Sequence, residues 1–282
     1  MMITPAQAYW NQRHALARSR DRVEMVARCI NRFSDLSLFQ WAQLMAMALE
    51  FQPDLILELG RLKGNSTCAF TEAANVLAPH SSRVLSICDS ADWDAETRPR
   101  LEKILPPKWF EPMTIQKTDI LTFDFSRALA GANRVLVFWD AHGFDVAECI
   151  LGEVVPLIAK RPHLVIMHDM SDARYAGSNE YHGFGLWNGT NAGERRMRLG
   201  NIDSAVAQAI SILDFTTRNK LTLDSADHSY HTEFTTDQRA EMENSLGEMF
   251  SLAAHWFWFS LNEHSGPYTF PGCSQQVQTL KN

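Results

Sequence analysis

The chain has 282 residues, 45% of them hydrophobic, and a formal net charge of −7. That length suits one large α/β domain with additions or two small domains, with apolar residues enough for a sizeable core. The acidic balance argues against a nucleic-acid partner, which would need a basic face to neutralise phosphate, and the local run Arg195-Arg196-Met197-Arg198 reads as a solvated face.

Residues 5 to 51 read as helical: Leu38, Trp41, Met45, Ala48 and Leu49 recur at helical spacing, and the arginine-rich part from Arg13 to Arg32 carries more charge. We take 1–51 as an N-terminal helical cap and 52–282 as the main domain. Strand signals then recur at Leu55–Leu59, Arg83–Cys88, Met113–Lys117, Val135–Trp139 and Leu164–His168. Most are short, apolar and rich in branched residues, as strands buried on both faces should be. Helical stretches separate them: Ser66–Leu77, Ala95–Ile104, Phe125–Ala130 and Val146–Lys160, the last with Asp145 as cap and Glu148 three residues on. This alternation predicts a doubly wound, mostly parallel sheet.

The stretch from about 171 to 236 breaks the rhythm. It is rich in Gly, Asn, Asp, Ser and His, with a helix signal near Ser204–Leu213. It reads as an insertion that either covers a substrate or makes a surface excursion. Tyr175, His182, Trp187, His228 and His231 are its candidate substrate-facing or packing groups. A helix over Asp237–Ala254 follows, with Thr235 and Gln238 as a capping box. His255–Leu261 and Pro267–Phe270 read as two last strands joined by a hairpin-like linker, so one of them should run antiparallel.

The five cysteines (Cys29, Cys68, Cys88, Cys149 and Cys273) are scattered and form no C-x-x-C pair. They read as reduced packing residues of a cytoplasmic protein. No apolar leader and no run of membrane-spanning length stands out, so no membrane partner is expected.

The most informative stretch is Leu55-Ile56-Leu57-Glu58-Leu59-Gly60-Arg61-Leu62-Lys63-Gly64-Asn65-Ser66-Thr67. A strand feeds a glycine turn and then a helix N-terminus, the arrangement by which α/β proteins build nucleotide pockets. Its G-x-x-x-G spacing is neither the dinucleotide fingerprint nor the phosphate loop, which suggests a nucleoside ligand without a polyphosphate. Gly60 and Gly64 would let the backbone approach the ligand, and amides near Asn65 and Ser66 would hold an anionic group such as a carboxylate. Ligands in open α/β sheets bind beyond the carboxyl ends of the strands. Each predicted strand end carries an acidic residue: Glu58, Asp89, Asp119, Asp140 and Asp169. His142 and His168 accompany the last two. Asp89 is placed like the residue that grips ribose hydroxyls. Trp93 would stack on a base or pack, and Asp119 would accept from an adenine amino group or cap a turn.

This ordered set resembles a class I S-adenosylmethionine-dependent methyltransferase. Within that superfamily it is similar to the branch of catechol O-methyltransferase-like enzymes, bacterial antibiotic-tailoring O-methyltransferases and cephalosporin-hydroxylase-like proteins. The resemblance covers roughly residues 50 to 170. It implies a seven-stranded Rossmann-like sheet with a reversed last strand. Glu58, Gly60, Gly64 and Ser66 would then contact the methionine part of the cofactor, Asp89 the ribose, and Asp119 the adenine. It also implies a divalent metal held by Asp140, His168 and Asp169. A histidine among the ligands disfavours magnesium and suits manganese, iron, nickel or zinc better. The implied reaction is methyl transfer to a hydroxyl of a small molecule, a sugar or a natural-product scaffold. A metal would lower the hydroxyl's pKa, and His142 or His168 would take its proton. The other readings are no metal, with Asp169 orienting a histidine; a nicotinamide-dependent oxidoreductase, against which the missing G-x-G-x-x-G counts; and a catalytically silent cofactor-binding protein. The N-terminal helices and the insertion offer a surface for a homodimer.

Overall fold

The computed structural model describes residues 4–30, 36–78, 82–168, 199–252, 256–261 and 267–272. Helix α1 (Pro5–Ile30) starts on a proline whose missing N–H costs nothing in a first turn, and buries Tyr9, Leu16, Val23 and Ile30 at seven-residue spacing. Helix α2 (Leu38–Phe51) opens on a capping box between Ser37 and Gln40 and ends where Gln52 turns left-handed at φ 50°. Nearly every residue of α2 is buried because it lies between α1 and the body of the domain.

Seven strands among the described residues form one sheet in the order β3-β2-β1-β4-β5-β7-β6. They are β1 (Leu55–Leu59), β2 (Arg83–Cys88), β3 (Met113–Lys117), β4 (Val135–Trp139), β5 (His163–Met167), β6 (Asp224–Ser225) and β7 (Phe257–Phe259). The first five run parallel, while β7 is antiparallel to both β5 and β6. Chain order reverses between β1 and β4, the switch point at which such sheets open a crevice.

Side-chain alternation sends the strands' residues into two cores. Ile56, Leu136, Phe138, Leu164 and Ile166 join α1, α2 and α3 (Asn65–Val76) on one face. Leu57, Val137, Trp139, Val165 and Met167 pack on the other face. There they meet α5 (Phe125–Leu129), the α6–α7 segment (Phe144–Cys149 and Val155–Ile158) and α8 (Leu199–Arg218).

Several local expectations shift. The fifth strand begins one residue early, at His163, so His168 stands just past it. The helix read from Val146 starts at Phe144 instead. Gly143 at φ 131° makes the turn, and Asp145 sits inside the first turn rather than capping it. Its middle widens into a π-helical segment, Ile150–Val154, as does Trp93–Thr97 ahead of α4 (Arg98–Leu101). Both wide segments run up to a proline, Pro156 and Pro99, which cannot supply the amide that a regular turn needs.

The strand that completes the seven is β6, Asp224–Ser225, and not Pro267–Phe270, whose residues make no ladder. They are held instead by Thr269, whose backbone N–H donates to Asn219 Oδ1 at 2.7 Å. The described part of the stretch read as an insertion is packed structure. Ile212 and Phe215 of α8 enter one core, and Tyr230 of α9 (Ala226–Glu233) enters the other against Tyr9 and Phe39. The capping box of α10 (Thr236–Leu246), formed by Thr235 and Gln238, is present. No helix among the described residues is long and apolar enough to cross a membrane.

Candidate functional site

One hydrogen bond carries each parallel ladder a step beyond its strand. Gly60 N–H donates to Ile87 O at 3.0 Å, Asp140 N–H to Leu59 O at 2.8 Å, His168 N–H to Trp139 O at 3.0 Å and Thr118 N–H to Cys88 O at 3.2 Å. The strand tips are therefore level and form a single rim. This brings together the glycine turn, Asp89, Asp119, Asp140 and His168 as the sequence pattern anticipates. Asp169 lies outside the described residues.

The glycine turn is closed by the protein's own atoms. Gly60 has φ +92°, and a Cβ there would lie 2.3 Å from the carbonyl oxygen of Asp140. Gly64 has φ +83°, and a Cβ there would lie 2.3 Å from the Trp93 ring. Both residues must be glycine for conformation and for space, and the space belongs to the neighbouring strand tip and to Trp93. Trp93 is fully buried, so of its two roles it takes packing.

Glu58 stands one residue short of the strand's end, on the α3 face, and is fully buried. Its two carboxylate oxygens accept from Ser66 Oγ at 2.5 Å and Thr67 Oγ1 at 2.6 Å. It thereby pins the first turn of α3 to β1. Burial pushes its pKa up, opposed by the hydroxyls of Ser66, Ser86 and Thr67 and by the Arg61 guanidinium. Arg61, in the glycine turn, is only 2% exposed. Its Nη1 donates to Ser86 O and Oγ at 3.1 Å, folding the side chain back under the turn.

Helix α3 begins at Asn65 with Gly64 as cap, so no side chain among the described residues caps its first turn. Asn65 Nδ2 is buried with no hydrogen-bond partner among the described residues. The start of α3 thus offers donors to an acceptor, with the positive end of a helix dipole behind them. Asp89 is exposed at the tip of β2, suited to accept from hydroxyl donors. Asp119 is exposed at the tip of β3 and its Oδ1 accepts from Leu121 N–H at 2.9 Å, the turn-capping geometry.

On the other side of the switch point, Asp140 Oδ1 lies 2.9 Å from His168 Nδ1. Both are largely buried, with side-chain exposures of 13% and 2%. The Trp256 ring packs on the imidazole with centroids 4.7 Å apart. Asp140 and His168, both candidates for a metal, therefore engage each other, and no group of three metal-type ligands assembles among the described residues. His142 is exposed on the loop between β4 and α6. His228 and His231 lie exposed on α9, while Tyr175, His182 and Trp187 lie outside the described residues. The sequence reading passed over Trp256, whose contact with His168 depends on β7 pairing beside β5 and has no local signal.

No family model and no curated protein matches the chain. Two solved structures share its fold. One is the cofactor-bound protein Rv0187 from MTB, at 14% identity and a TM-score of 0.50, matched over 86% of this chain and 89% of that one. The other is the SAH-bound methyltransferase PaMTH1 from Podospora anserina, at 14% identity and a TM-score of 0.51, over 85% and 87%. The seven-stranded sheet with helices on both faces is thus the Rossmann-like fold that this methyltransferase has.

Proposed function

We propose that this protein transfers a methyl group from S-adenosylmethionine to a hydroxyl of a small molecule. The observation that carries the reading is the uncapped start of α3, set by the two left-handed glycines on the same rim as Asp89 and the Asp140–His168 pair. The fold shared with a methyltransferase bound to SAH supports it. The residues fit the cofactor in their donor and acceptor character. The buried Asn65 amide and the first-turn N–H groups suit its carboxylate, and the Asp89 carboxylate suits its ribose hydroxyls. Glu58 shapes the site by holding Ser66 and Thr67 in place.

When bound, the cofactor supplies an electrophilic methyl group on a sulfonium. The protein's task is to bring an acceptor oxygen in line and remove its proton. The Asp140 carboxylate keeps the His168 proton on Nδ1, which makes Nε2 the basic nitrogen, and stabilises the imidazolium that forms on proton transfer. His142, on the exposed loop, is the second histidine within the same rim and takes the role if His168 only orients Asp140. The pairing of Asp140 with His168 leads us to assign them to proton handling and not to chelation, with exchange of a chelated protein into manganese or zinc as the check.

Calorimetry with S-adenosylmethionine and S-adenosylhomocysteine tests the reading directly. Binding of both at micromolar level is expected, and absence of binding to either would end it. Thorough chelation is expected to leave turnover of an identified acceptor within about twofold, whereas a loss restored by one metal would return Asp140, His168 and Asp169 to the metal role.

A further inference from the structure

The glycine turn is tipped by Leu62, whose φ is +42° and which is 57% exposed. Left-handed backbone is costly for a branched apolar residue, because its Cβ crowds the following carbonyl oxygen. The other non-glycine residues with positive φ among the described residues are Gln52 and Lys220. Both stand just past helices, where a left-handed residue is a common stop. Leu62 ends no helix, and an exposed side chain recovers little of the strain through packing.

The turn is held in this conformation from both shoulders. Gly64 N–H donates to Arg61 O at 2.7 Å and closes it. Arg61 is tied down through Nη1, which donates to Ser86 O and Oγ. On the other side the Thr97 hydroxyl donates to Lys63 O at 2.7 Å. Asp140 and Trp93 fill the space beside Gly60 and Gly64, so the backbone has no room to shift.

Counted from Gly60, Leu62 falls on the position that the dinucleotide fingerprint G-x-G-x-x-G gives to its second glycine. That glycine has no side chain, so the backbone can approach a pyrophosphate. This chain keeps a glycine-like φ there and adds a branched apolar side chain. A pyrophosphate at the tip would meet that side chain on a rigid turn. It would also surrender water to an apolar surface that returns no hydrogen bond, a cost that a charged group does not recover. A nucleoside whose side chain carries no phosphate bears no such cost at the same place.

We propose that Leu62 is a specificity-determining residue: it excludes nucleoside pyrophosphates from the rim and leaves it open to a nucleoside without them. The proposal rests on the reading that a nucleoside cofactor sits at this turn, and it deepens that reading by naming the ligands turned away.

Calorimetry on the full-length wild type, Leu62→Gly and Leu62→Asn tests it, with S-adenosylhomocysteine, ADP and NAD as probes. Leu62→Gly relieves the backbone and removes the side chain. Urea denaturation should find it no less stable than wild type, so that a change in binding does not come from unfolding. Leu62→Asn accepts the left-handed backbone while keeping a side chain at the tip.

Wild type is expected to bind S-adenosylhomocysteine, and ADP and NAD about a hundredfold more weakly. Leu62→Gly should gain about tenfold or more in affinity for ADP and NAD, with S-adenosylhomocysteine within about fivefold of wild type. Leu62→Asn should gain no more than about twofold. Wild type that binds NAD as tightly as S-adenosylhomocysteine, a glycine variant that gains nothing, or an equal gain in Leu62→Asn would overturn the proposal. Wild type that binds none of the three probes ends the methyl-transfer reading. In that case a gain of ADP or NAD binding in Leu62→Gly still upholds the exclusion, and no gain refutes it.

Discussion

At the β1 end of the rim the brace is local and only the walls are distant. Glu58 reaches the hydroxyls of Ser66 and Thr67 eight and nine positions away, while Gly60 is pressed against Asp140 and Gly64 against Trp93 from elsewhere in the chain. At the β4–β5 end, every contact is made at a distance along the chain. Asp140 meets His168 across 28 positions, and the indole on the far side of His168 stands just ahead of β7, which enters the sheet in the antiparallel sense. The first half is a seat, a turn whose backbone and brace are encoded within ten residues, backed by more distant parts of the chain. The second is an assembled pair whose chemistry depends on three strands arriving in register. A seat should fail by loss of folding or affinity, and a pair by loss of rate.

The largest expected effect comes from the seat. Gly60→Ala puts a side chain into a φ of +92° and a Cβ 2.3 Å from the Asp140 carbonyl oxygen. Backbone strain and the forced shift of β4's tip together should cost about 3 kcal/mol or more in urea denaturation, with cofactor binding abolished. A variant that folds and binds like wild type would show that the turn is not under the constraint described.

Next come substitutions that should divide affinity from rate. Asp89→Ala removes an exposed carboxylate at the β2 tip and should weaken cofactor binding about tenfold with kcat at saturation little changed. Asp140→Asn and His168→Gln should leave cofactor affinity within a few-fold and lower kcat by roughly 10²–10⁴, with the double variant no worse than the poorer single one. Calorimetry and steady-state kinetics on the same preparations measure both quantities. A large loss in His142→Ala beside a small one in His168→Gln would move the proton acceptor to the exposed loop.

The same division explains what the amino-acid sequence discloses. The five parallel strands are legible as apolar runs because each is buried on both faces, and the glycine turn is legible because conformation and spacing lie within ten residues. What escapes is whatever depends on tertiary neighbours. The sequence assigns Arg61 no role, and only the packed structure shows it folded back onto Ser86. Strand β6 is two residues long and is made by pairing with β7, so no periodicity could mark it, whereas Pro267–Phe270 had the composition of a strand without a ladder to join. Trp256 becomes part of the site through the β5–β7 pairing alone. Acidic residues at strand ends were visible in the sequence. Their roles were not, since Glu58 braces a helix from inside the core while Asp140 binds a histidine.

The smallest effect concerns that brace and has a definite sign. Burial raises the Glu58 pKa in the folded protein above its ordinary value of 4.5, against the hydrogen bonds from Ser66, Ser86 and Thr67 and the nearby Arg61. The folded state therefore holds the Glu58 proton more tightly than the unfolded chain does. The stabilisation linked to that proton is complete below pH 4.5 and is lost as the pH rises through the raised folded value. Glu58→Gln has no proton to lose, and its carbonyl oxygen still accepts from one hydroxyl. Urea denaturation of both proteins from about pH 4 to about pH 8 should show wild type losing stability relative to the variant as pH rises, then a constant difference. A difference that stays flat throughout, or that grows in favour of wild type, would mean that the hydroxyls and Arg61 outweigh desolvation. In that case the base of the seat would be held by an ionised carboxylate.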